Sequence, residues 1–197
     1  PEYQRRLVRS NAMDFDDLLM QTVILMRDHP EVREKYQQRY EHILVDEFQD
    51  TNLAQYQLVQ ILSKPQDNVF VVGDEDQGIY AFRGADYRNV MQFRRDYPQA
   101  RVILLEQNYR STQIVLDAAR AVIDKNTQRT PKALFTDREG GAKISIYEAY
   151  SEAEEGDYVI NTITQLIKRK NYSFRDFAVM YRTNAQSRSI DEAFIKY

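Results

Sequence analysis

The stretch ILVDEFQDT, residues 43–51, runs three apolar residues into Asp46, Glu47 and Asp50. Two adjacent acids at the end of a buried strand could do phosphate chemistry. One can hold a hydrated Mg²⁺, which favours carboxylate and phosphate oxygens, and the other can orient or deprotonate an attacking water. A bare Asp-Glu pair is more often a solvated strand end, because acids are mostly exposed. The apolar run before this pair and the Gln49-Asp50-Thr51 after it argue for more than solvation. A second cluster, GDEDQGIYAFRGAD at residues 73–86, mixes acids with Gln77, Tyr80, Phe82 and Arg83. An amide both donates and accepts, so Gln77 suits the sensing of a phosphate or a water. Aromatics beside an arginine suit stacking on unpaired bases. The same residues read equally as core aromatics and a salt-bridged arginine. A third cluster, QNYRST at residues 107–112, sets Tyr109 and Arg110 at a helix start. A cation there opposes the helix dipole unless it reaches an anion such as a terminal phosphate. A surface ion pair is the plainer alternative.

These clusters need a scaffold that gathers them. Residues 14–26 carry apolar side chains at helical spacing behind an acidic start, and VREKYQQRY follows as a polar helix. HILVD is a short buried strand, and Asp50, Thr51 and Asn52 offer capping groups to the next helix. NVFVVGD is a second strand, ARVILLEQN a third, and STQIVLDAARAVIDKN a helix. Strand and helix alternating at this spacing predict a parallel sheet with crossover helices. Ligands of such sheets bind at the carboxyl ends of the strands, where Asp46-Glu47, Gly73-Asp74 and residues 106–108 would meet. Residues 130–143, with Pro131 and Gly140-Gly141, form the best linker. Beyond it the alternation restarts: strand KISIYEAY, helix EEGDYVINTITQLIKRK, strand DFAVMYRT, and a helix from Ala185.

Composition sets the outer bounds. The 197 residues are 43% hydrophobic and 29% charged, with no cysteine, which predicts a globular cytoplasmic protein without a disulfide framework. No apolar run approaches a membrane span and no signal peptide is visible. A net charge of −3 argues against a uniformly basic nucleic-acid binder, though not against a local groove.

Taken together, the three clusters resemble the UvrD/Rep/PcrA family of superfamily 1 DNA helicases. VDEFQDTN is similar to that family's Walker B motif, VVGDEDQGIYAFRGAD to its third motif and LLEQNYRST to its fourth. DFDDLL and FAVMYRTNAQSR also read as family segments, so the resemblance covers essentially the whole chain. It implies an α/β fold: a partial parallel-sheet RecA-like (P-loop NTPase) motor domain over residues 1–108, then the start of a second RecA-like domain over residues 109–197. It implies ATP and Mg²⁺ as cofactors. Asp46 would hold Mg²⁺, with Glu47 beside it as the catalytic base. Gln77 would contact the γ-phosphate and attacking water. Tyr109 would stack on adenine, and Arg110 would act as an arginine finger. Tyr80 and Phe82 would lie along single-stranded DNA, with Arg83 coupling the two sites. Phe82 stands where tryptophan is frequent, and Gly78 where serine is frequent. Arg182, Asn184 and Arg188 would approach the DNA backbone.

The resemblance further implies 3′-5′ movement on single-stranded DNA, and work at single-strand/duplex junctions in repair or replication. No G-x-x-x-x-G-K-[ST] occurs in the sequence, so the phosphate-cradling loop is expected in the remainder of a longer helicase chain. The piece alone is expected to be inactive, with an open sheet edge through which copies could associate. Two other classes fit the residues less well. A metal-dependent phosphohydrolase or nuclease could be built on Asp46, Glu47, Asp50, Asp74 and Asp76. A non-catalytic α/β interaction module would leave all three clusters as solvated edges.

Overall fold

The computed structural model describes residues 2–126 and 130–197. The chain divides into two compact units, Pro1–Gly141 and Ala142–Tyr197.

In the first unit, α1 (Glu2–Arg9) is an exposed basic helix and α2 (Phe15–Asp28) follows it. Asp14 caps α2 by accepting from the Asp17 amide, and the Asp17 carboxylate answers on the Asp14 amide. Such a reciprocal box satisfies two orphan donors of the helix start. Helix α3 (Pro30–Arg39) opens on a proline, whose missing N–H costs nothing there. Strand β1 (Ile43–Val45) then pairs in parallel with β2 (Val69–Val71), in the register Ile43 with Val69 and Val45 with Val71. Helix α4 (Leu53–Ser63), capped by Asn52 and Gln55, makes the crossover between them. Helix α5 (Arg88–Asp96) completes a core of Phe48, Tyr56, Phe93 and Tyr97, with Val45, Val69, Val71 and Val90 packed against it. The rings meet edge-on or stacked at 4.7–5.7 Å, separations favourable to aromatic pairs. The Tyr56 hydroxyl donates to Asp96 at 2.6 Å, and burial followed by that bond pushes its pKa far up. Helix α6 (Gln113–Ile123) closes the order.

The expected third strand does not form a ladder. Residues 101–106 run without strand pairing among the described residues, and Gln107 makes a single parallel bridge with Phe135. Val102, Ile103 and Leu104 line a cavity of about 350 Å³ together with Val71 and Gly73, and no main-chain hydrogen bond joins this segment to β2 among the described residues. A strand pattern without a bonded edge leaves extended chain.

In the second unit, α7 (Glu152–Lys170) packs on α8 (Ser187–Lys196). Gly156 permits the approach: a methyl there would stand 2.9 Å from the Ser189 carbonyl oxygen and 3.1 Å from Ala193 Cβ. Ile160, Ile163 and Ala193 are buried in this unit. The strands expected at KISIYEAY and DFAVMYRT are likewise unpaired among the described residues. Ile146 and Met180 stand more than nine-tenths exposed. Neither segment meets a neighbouring edge, so apolar alternation alone yields extended chain and no sheet.

Candidate functional site

The site grows from the carboxyl ends of β1 and β2. The ladder extends past the strands, with the Val72 amide donating to Val45 and the Phe48 amide to Val72. This holds Glu47 and Gly73-Asp74 side by side. Asp46 Oδ1 accepts from the Glu47 amide at 2.9 Å, and both carboxylates are exposed. Glu47 sits in the left-handed region at φ 48°, ψ 42°. A non-glycine residue held there carries backbone strain, a feature that clusters at functional positions.

Gln49 joins the two strand tips, and the sequence analysis assigned it no role. It is 1% exposed. Its Nε2 donates to Glu47 Oε2 at 2.8 Å, and its Oε1 accepts from the Asp74 amide at 2.9 Å. A carboxylate only accepts and an amide N–H only donates, so this amide has one workable orientation. The next link is Gln77, whose Nε2 donates to Asp74 Oδ2 at 2.9 Å. The structure thus brings Asp46, Glu47 and Gln77 into one neighbourhood through Gln49 and Asp74. Gln77 must turn its amide oxygen away from the carboxylate, where it can accept from a water.

Lys132 is a further residue that sequence reasoning missed. Its side chain is 14% exposed, and its ammonium meets Asp74 Oδ1 and lies 3.3 Å from Asp76 Oδ2. Burial alone would raise the Asp74 carboxyl. Hydrogen bonds from Lys132, Gln77 and the Asp76 amide outweigh it and hold the group below its ordinary 3.8. Lys132 lies far from this loop in sequence and no local pattern marks it. The only signal was a lone cation beside Pro131. Its position also bears on the five-acid metal site: Asp74 and Asp76 are already matched by an internal cation. No group of three or more His, Cys, Asp or Glu that could hold a metal forms among the described residues.

The aromatic cluster is not core. Phe82 is 75% exposed and Tyr80 38%, and the Arg83 guanidinium lies 5.1 Å from the Tyr80 centroid and 5.4 Å from that of Phe82. This exposed cation-on-ring arrangement is pinned to the carboxylate loop. The Asp86 amide and Asn89 Nδ2 both donate to the Thr51 carbonyl, at 3.0 and 2.8 Å. Tyr109 is exposed, with its hydroxyl on Gln107 Oε1. Arg110 has an exposed side chain without a hydrogen bond or ion pair among the described residues. Their turn is shaped by Asn108, whose Oδ1 accepts from the Arg110 and Ser111 amides at 2.9 and 2.7 Å. Arg182, Asn184 and Arg188 lie in the second unit, all exposed, with Arg188 paired to Glu192.

Comparison with known proteins supplies the context. Residues 1–98 match the UvrD/REP helicase N-terminal domain and residues 103–197 the UvrD-like helicase C-terminal domain. The chain belongs to the UvrD/Rep helicase family. It is 50% identical over 194 residues to proteins named ATP-dependent DNA helicase PcrA from Leuconostoc citreum and from Staphylococcus aureus strain Mu50. The same identity holds to that of Staphylococcus epidermidis. Each alignment covers 98% of this chain and 26% of the relative, so the chain spans about a quarter of the length of these relatives. The family's two domains meet between residues 98 and 103, whereas compactness breaks after Gly141. The difference comes from residues 130–138, which hydrogen-bond back onto Glu75, Glu106 and Arg110. No helix among the described residues is long and apolar enough to cross a membrane.

Proposed function

We propose that this chain is the part of an ATP-dependent DNA helicase that carries the hydrolytic carboxylates and the first contacts to single-stranded DNA. The observation that supports the reading best is the hydrogen-bonded path Glu47–Gln49–Asp74–Gln77 at the tips of two parallel strands. In this reading Glu47 takes the proton of the attacking water, and Gln77 aligns that water with its free amide oxygen. Asp46 and Glu47 offer exposed hard-oxygen donors. Such a pair suits Mg²⁺ that keeps most of its waters, which would be held chiefly by Asp46 and would supply positive charge at the phosphates of ATP. Tyr109 would stack on the adenine, and the exposed Arg110 would offset charge developing on the γ-phosphate. Tyr80, Phe82 and Arg83 form the base-stacking face, with Arg182, Asn184 and Arg188 as backbone contacts from the second unit.

Residues 1–108 and 109–197 belong, in this reading, to successive RecA-like domains that move 3′-5′ along one strand and open duplex at junctions in repair or replication, in the cytoplasm. The open edge of β2 and the cavity beside it support pairing with a further strand, from the rest of the helicase chain or from a second copy. The 197 residues alone are expected to hydrolyse little ATP.

One pair of variants in the full-length protein tests the assignment. Glu47→Gln should abolish DNA-stimulated ATP hydrolysis while leaving DNA affinity intact. Phe82→Ala should weaken single-stranded DNA binding by about 1–3 kcal/mol, the usual worth of one base stack. Wild-type hydrolysis by the first variant, or wild-type DNA affinity in the second, would remove the corresponding role.

A further inference from the structure

Residues 130–138 touch both ends of the candidate site. At one end the Thr130 amide and hydroxyl donate to Glu75, at 3.0 and 2.9 Å, and Arg94 lies 3.2 Å from the same carboxylate. Lys132 adds its ammonium to Asp74 and Asp76, on either side of Glu75. At the other end the Ala133 amide donates to Glu106 Oε1 at 2.8 Å. The Phe135 amide donates to the Glu106 carbonyl at 3.0 Å, and the Asn108 amide to the Phe135 carbonyl at 2.7 Å. Gln107 reaches Asp137, and Arg138 donates to the Arg110 carbonyl. One short segment therefore grips the loop that presents Gln77 and the turn that presents Tyr109 and Arg110. Its grip on the loop centres on Lys132, the cation that meets the carboxylate to which Gln77 donates.

We propose that residues 130–138 form a strap that makes the Gln77 loop and the Tyr109–Arg110 turn move together, with Lys132 as its positioning residue. Lys132 touches neither turn residue and, on this assignment, no nucleotide. It fixes the Asp74 carboxylate, and Asp74 in turn fixes the amide of Gln77. Without the ammonium, Asp74 is a part-buried charge lacking its ionic partner, and the loop is free to swing away from the strap. The proposal rests on the helicase reading, so its test must separate the two.

The test uses the full-length protein. Lys132→Met should lower kcat for DNA-stimulated ATP hydrolysis on the order of tenfold, with KM for ATP within about twofold. Lys132→Arg should restore most of the loss, and the Lys132→Met and Asp74→Asn effects should not add. Amide hydrogen exchange supplies a readout independent of activity: Lys132→Met should speed exchange across residues 107–111 as well as 74–77. Should Lys132→Met fail to fold, Asp76→Asn removes one of the two carboxylates at near-constant shape and carries the same exchange measurement. Unchanged kcat, additive effects, or faster exchange confined to residues 74–77 would each overturn the strap. If Glu47→Gln is inactive while Lys132→Met is normal, the strap fails and the helicase reading stands. If Glu47→Gln retains activity, the helicase reading itself fails.

Discussion

The substitution Gly73→Ala interrogates the junction between the two strand tips. A methyl at this position would lie 2.6 Å from Gln49 Oε1, and 3.2 Å from the main-chain nitrogens of Phe48 and Gln49. To reach ordinary contact the amide must retreat by about 0.8 Å, and a 2.9 Å bond to the Asp74 amide does not survive that stretch. The amide is 1% exposed, so no water replaces what it loses. A neutral hydrogen bond contributes about 1 kcal/mol and a bond to a carboxylate about 1.5–3 kcal/mol. Losing the Asp74 bond and loosening the Glu47 bond should cost about 2–4 kcal/mol. The measurement is urea unfolding of the first unit followed by tyrosine fluorescence. The chain has no tryptophan, and Tyr56 and Tyr97 lie in the core. The decisive comparison repeats Gly73→Ala in a Gln49→Ala background. There the clashing oxygen is gone, and the cost should fall below about 1 kcal/mol, the residue of the two main-chain contacts. Equal costs in both backgrounds would refute the reasoning, since the methyl would then be acting on something other than the Gln49 amide.

The remaining expectations concern the acid latch and the second unit. Asp74 has a depressed carboxyl pKa, so its contribution to stability is complete above the unfolded value and is lost as pH falls through the folded one. The latch to Lys132 should therefore hold through neutral pH and open only below 3.8, and carbon-detected titration of the Asp74 carboxyl should follow that course. A midpoint above 3.8 would contradict it. Gly156→Ala should destabilise the packing of α7 on α8 by about 1–3 kcal/mol, because the 2.9 Å neighbour is main-chain carbonyl and cannot rotate aside. Thermal unfolding by circular dichroism measures this, and an unchanged midpoint would show that α8 moves freely.

Helices were the more legible part of the fold because their signals are local. Apolar spacing behind an acidic start announced α2, and the capping groups at Asp50, Thr51 and Asn52 announced α4, whose cap is Asn52. The first two strands were legible for the same reason, but their expected burial was not met: Leu44 and Phe70, at their centres, are 73% and 58% exposed, because the two-stranded ladder is covered on one face only. The other strands were not legible, because a ladder depends on a neighbour that a strand's own residues do not encode: residues 101–106 carry the right pattern yet pair with no strand among the described residues. Within the site, Asp46, Glu47, Gln77, Tyr80 and Phe82 announced themselves by residue type and crowding. Gln49 and Lys132 did not, since their roles arise from who faces them. A buried amide between two acids and a lysine 58 positions from its carboxylate become informative only once the chain is folded.

The left-handed backbone of Glu47 has a consequence for how this position tolerates change. Glycine would relax the main chain there while deleting the carboxylate, and a β-branched residue would aggravate the strain while supplying none. If Glu47 has the proposed role, firmness of the loop and reactivity at its tip pull in opposite directions at one residue. A search for hardier versions of this protein by stability alone would then drift toward inert ones, and Glu47 is where that drift would first become visible.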